Sequence, residues 1–95
     1  MTIKERAMSY ESKRDAAWQD AAYFATRRLL RKTEGAWMAE EILPNVIAKI
    51  GEPNDRRSFG AVVRRLRLDG HVQPAGVGRA RTSHSSLKTR WERVA

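Results

Sequence analysis

Residues 57–76 read RSFGAVVRRLRLDGHVQPAG, and the spacing of the apolar residues changes character within that run. Phe59, Val62, Val63 and Leu66 stand at i, i+3, i+4 and i+7, the signature of a helix with one buried face. At about 100° per residue, the opposite face carries Arg57, Gly60, Ala61, Arg64 and Leu68, with Arg65 on its flank. The spacing predicts a helix over 55–68, capped by Asn54 or Asp55 and basic on its outer side. That outer side is small in its middle, at Gly60 and Ala61. Gly70 is placed to end the helix in a left-handed conformation. Beyond it, residues 71–77 read as a strand, which Pro74 confines to an edge or an irregular pairing.

Toward the C-terminus, residues 78–86 (GRARTSHSS) form a polar tip. Residues 87–94 alternate as a returning strand, with Leu87, Thr89 and Trp91 on one face and Lys88, Arg90 and Glu92 on the other. Toward the N-terminus, Glu52-Pro53-Asn54 makes a tight connection, preceded by a helix over 39–50. Glu40 and Glu41 suit its first turn, Gly51 closes it, and Pro44 predicts a kink or a break. Ala36-Trp37-Met38 reads as a brief strand after the Thr33-Glu34-Gly35 breaker. A first helix spans about 15–32, with Ser12 or Asp15 as its cap and Trp18, Ala21, Ala22, Ala25 and Leu29 facing inward. Phe24 and Leu30 complete the core, and residues 1–11 are a flexible lead-in to a single domain over 12–95. The expected fold class is mainly α with a small β-hairpin (α+β): three helices and a C-terminal wing.

That order of elements, with RSFGAVVRRLRLDGHVQPAG, the Ser/Arg-rich loop after it and the terminal WERV, resembles small winged helix-turn-helix proteins, many encoded by phages and prophages. The resemblance covers roughly Trp18 to Val94. It implies that the third helix enters the major groove of double-stranded DNA and that the wing lies on the backbone or in the minor groove. Two features depart from the pattern: Glu40 and Glu41 lie where such proteins approach phosphate, and Pro44 interrupts the second helix.

Composition narrows the alternatives. A chain of 95 residues builds one modest core. It has no cysteine, so neither a disulfide framework nor a thiolate metal site is available. The N-terminus lacks an apolar signal segment and no run is long enough to span a membrane, which leads to the expectation of a cytoplasmic, nucleoid-associated protein. The formal charge is +8 and unevenly spread. Residues 1–53 hold nine Lys/Arg against eight Asp/Glu, whereas residues 54–95 hold ten against three. Gathering one sign costs self-repulsion, which a polyanion relieves while releasing counterions.

The residues expected to touch DNA on the third helix are Arg56, Arg57, Ser58, Gly60, Ala61, Arg64 and Arg65. Arg57 and Arg64 lie two turns apart, and arginine's planar fork matches the two acceptors of a guanine edge. On the wing the candidates are Arg79, Arg81, Thr82, Ser83, His84, Ser85, Lys88 and Arg90, with arginines suited to a narrow minor groove and hydroxyls to phosphate oxygens. No catalytic residue, metal ligand or cofactor is expected. His71 and His84 are far apart in sequence, the adjacent Glu40 and Glu41 suit a helix start, and no phosphate-binding Gly-rich loop follows a strand. A homodimer or cooperative assembly on DNA would lengthen the site read. The alternative is a winged-helix module that docks on a protein, with Trp37 and Met38 as an exposed apolar patch rather than core.

Overall fold

Asp69 and Gly70 separate a helical part of the chain from a hairpin. The computed structural model describes the backbone of residues 3–79 and 87–94, and the side chains of 15–79 and 87–94. Three helices, α1 (Ile3–Leu30), α2 (Ala39–Ile50) and α3 (Ser58–Leu68), precede two strands, β1 (Val72–Arg79) and β2 (Leu87–Arg93). The strands form an antiparallel two-stranded sheet. This is an α+β domain with the layout of a winged helix-turn-helix. No helix among the described residues is long and apolar enough to cross a membrane.

On α3 the core is where the apolar period put it, whereas on α1 Ala21, expected to face inward, is exposed. Phe59, Val62, Val63 and Leu66 of α3 are buried against Ala22, Tyr23, Ala25 and Leu30 of α1, Ile42 and Val46 of α2, and Val72 at the root of the hairpin. Trp37 and Met38 are 3% and 6% exposed, so both belong to the core and not to a surface patch. Phe24, in contrast, is 53% exposed beside Tyr23, a correction to its expected place inside. One step along a helix from a buried position turns a side chain by about 100°, and Tyr23 already fills that part of the core.

Two element boundaries differ from expectation. Helix α1 starts at Ile3, so Asp15 lies inside it and does not cap it. Residues 3–11, expected as a lead-in outside the domain, continue the same helix. Helix α3 starts at Ser58, because Ser58, Phe59 and Gly60 each donate to the carbonyl three residues earlier, which winds residues 55–57 into a tighter turn. Helix α2 runs unbroken through Pro44. Pro44 gives up its own donor there, and burial of Ile42 and Val46 on either side holds the turn in place. Glu41 makes the expected helix start, its Oε1 accepting the Met38 N–H at 2.8 Å.

Besides Val72 in the core, the hairpin is tied to the segment between α1 and α2 by an isolated bridge. Trp37 and Trp91 exchange both backbone hydrogen bonds, at 2.8 and 2.7 Å, which is all that forms of the brief strand expected over 36–38. Pro74 pairs with Trp91, and the register then slips before Val77 meets Thr89. Gly76, with φ of +91°, lies within that slip, the irregular pairing Pro74 implied.

Candidate nucleic-acid interface

The outer side of α3 is exposed as its spacing requires: Gly60, Ala61, Arg64, Arg65, Arg67 and Leu68 all face solvent. Its two flanks have different neighbours. On one flank, Ala61 and Arg65 adjoin Ala16, Gln19 and Asp20 of α1. On the other, Gly60, Val63, Arg64 and Arg67 adjoin Met38, Ala39 and Glu40 at the start of α2, and Lys88, Thr89 and Trp91 of β2. This second side is a groove of about 510 Å³ between α3 and the hairpin. Its floor is apolar, from Met38, Val63 and Trp91, and its charged lining is three cations, Arg64, Arg67 and Lys88, against one carboxylate, Glu40.

The arginines expected to act together are divided by their partners. Arg65 donates to Asp20 Oδ1 at 2.8 Å, and its guanidinium lies 4.1 Å from the centre of the Tyr23 ring, so it clamps α3 onto α1. Arg56 donates to Glu52 at 2.5 Å, a bond that raises its affinity for its proton. Arg57 bonds Asp55 through both its guanidinium and its backbone N–H, and this holds the Asp55 carboxyl below its usual range. Both pairs are solvent-accessible, lie ahead of the first turn of α3, and contribute little to stability. Arg64 and Lys88 form no ion pair among the described residues, and Arg67 lies over the Trp91 ring at 5.8 Å.

Ser58 is not an outward-facing donor. Its hydroxyl donates to Asp15 Oδ2, which also accepts the Asp55 N–H, while Oδ1 accepts the Asn54 N–H at 3.0 Å. Asp15 is 3% exposed. The Ser58 hydroxyl, with help from the Asn54 and Asp55 donors, outweighs the opposing effect of burial and holds its carboxyl below the usual range. The residue expected to cap α1 therefore anchors the start of α3 instead, fixing the pitch at which the outer face is presented.

On the hairpin, Arg79 is exposed at the end of β1 and Lys88 at the groove, whereas Arg90 is half-buried. A Cβ at Gly78 would stand 2.7 Å from Arg90 Nε and 3.2 Å from Met38 Sδ, so the Arg90 side chain is laid against the hairpin where glycine leaves room. Arg81, Thr82, Ser83, His84 and Ser85 lie outside the described residues. His71 is structural: its N–H donates to the Leu66 carbonyl and its ring stands edge-on to Tyr23. Arg67, further round the helix, was expected at phosphate rather than at a base edge. Its signal was present in the sequence, since it lies seven residues after Gly60 and three after Arg64, on the flank turned toward the hairpin.

No family model, curated protein or solved structure matches this chain. Among the described residues, no three His, Asp or Glu side chains come together as metal ligands would.

Proposed function

We propose that this chain binds double-stranded DNA, with α3 in the major groove and the hairpin beside it, and acts as a small transcriptional or phage-type regulator with no catalytic step of its own. The observation that supports this best is the groove between α3 and β2. Arg64, Arg67 and Lys88 surround a concavity at which the protein backbone comes close to the surface through Gly60. A major groove about 12 Å wide admits one helix, and an arginine in it bonds a guanine edge through both arms of its fork. In this reading Arg64 contacts a base, Arg67 and Lys88 contact phosphate, and Arg56 and Arg57 exchange their carboxylate partners for the backbone. A domain this small covers a short site, so a second copy or a neighbouring protein supplies the remaining specificity. The place of action is the nucleoid.

The test is a titration of fluorescent duplexes, random and genomic, at two salt concentrations. The proposal expects affinity to fall steeply with salt, and an Arg64→Ala/Arg67→Ala variant to keep its melting temperature, lose sequence preference and bind with a shallower salt slope. Equal binding by variant and parent would overturn it. The protein-docking alternative draws on the apolar floor and on Leu68, Val77 and Leu87, which are 75%, 63% and 64% exposed. It expects binding to a protein partner that salt leaves unchanged.

A further inference from the structure

A second basic concavity, of about 310 Å³, lies elsewhere on the surface and shares no lining residue with the groove along α3. It is lined by Arg27, Leu30 and Arg31 of α1, by His71 ahead of β1, and by Arg93 and Val94 at the end of β2. Arg27 and Arg31 stand one turn apart on the same side of α1. The root of the hairpin delivers the third guanidinium: the Val94 N–H donates to the His71 carbonyl at 3.0 Å, and the His71 N–H to Leu66 at 2.9 Å, which sets Arg93 beside α1. Two cations from the nearly neutral half of the sequence thus meet one from the basic half.

Among the described residues, no carboxylate lines this pocket, and Arg27, Arg31 and Arg93 make no ion pair. The neighbour of the Arg27 guanidinium is the Tyr23 ring, 5.8 Å away. Three guanidiniums around one concavity repel each other, and an anion held between them removes that cost. Their paired N–H groups match the oxygens of a phosphoryl group. Leu30 and Val94 supply an apolar wall. The volume is at the small end of ligand pockets, suited to a compact charged group.

We propose that this pocket is a second anion site, which takes a phosphoryl group presented either by a nucleic-acid backbone or by a free phosphate ester. It does not depend on the reading of the α3 groove. The test follows the backbone amides of the intact chain by NMR during titration with inorganic phosphate, against chloride at matched ionic strength. Saturable shifts are expected at residues 27–31 and 93–94. An Arg31→Ala/Arg93→Ala variant should bind phosphate at least about ten-fold more weakly, while Arg64→Ala/Arg67→Ala should bind it as the parent does. Arg31 and Arg93 are exposed, so the first variant should fold, and Arg93→Gln alone serves if it does not. Shifts no different from those with chloride, or unchanged affinity in a folded Arg31/Arg93 variant, would overturn the proposal. A short duplex added afterwards separates the sources. Displacement of phosphate identifies the backbone as the ligand. Phosphate retained in excess duplex identifies a free ester.

Discussion

Thr26 is wholly buried in α1, and its hydroxyl has no hydrogen-bond partner among the described residues. A desolvated hydroxyl without a partner is a net cost, and valine has the same branched shape without it. Thr26→Val should therefore stabilise the fold by about 1 kcal/mol, read as a higher midpoint in urea. Asp15 is the opposite case, a buried polar group whose partners are all in place. Its folded pKa lies below the unfolded value of about 3.9. The stability it contributes is thus complete above that value and disappears as pH falls through the lower, folded one. Acidification from about pH 5 downward should lower the parent's melting temperature. An Asp15→Asn variant should be less stable at neutral pH and flatter across the acid range, and equally steep acid curves for the two would contradict this account. The sequence shows Asp15 as a capping residue but not which helix it serves, because its partners Asn54, Asp55 and Ser58 are some forty residues away.

Among the elements, α3 was the most legible in advance. Its buried face and its terminator follow from spacing alone, as Phe59, Val62, Val63, Leu66 and Gly70 show. Gly70 holds φ at +80°, a conformation that costs an L-residue about 1 kcal/mol. Gly70→Ala should lower the unfolding free energy by about that amount, read in urea, and should also weaken DNA binding, since the turn sets the angle between α3 and the hairpin. The first residues of α3 were less legible, because the turn over 55–57 depends on Asp15 from another element. Helix α2 has the span expected of it, and of the two outcomes expected at Pro44 the break does not occur, since the packing of Ile42 and Val46 overrides local preference. The hairpin was foreseen as a pair of strands, but its link to the helices through the Trp37–Trp91 bridge is a long-range contact that no local pattern reports.

At the scale of the whole molecule, the basic half of the sequence does not become one basic surface. Folding sends Arg65 back to Asp20 of α1, turns Arg64 and Arg67 toward Lys88, and carries Arg93 to Arg27 and Arg31. Net charge by segment placed the excess of cations in the half that holds α3 and β2. It did not divide the arginines between clamping and exposed roles, because that depends on which acids of the first half come within reach. It gave no sign of the pocket at Arg27, Arg31 and Arg93, whose members are brought together only by the tertiary fold.

The central claim is that the face formed by Gly60, Arg64, Arg67 and Lys88 is where duplex DNA sits. The most direct measurement is amide chemical-shift mapping of the labelled chain with a short duplex at moderate salt. The account predicts that the largest shifts fall on residues 57–68 and 87–91, and that Arg64→Ala/Arg67→Ala reduces them. Shifts confined to the outer face of α1, or no shifts at any DNA concentration, would contradict it.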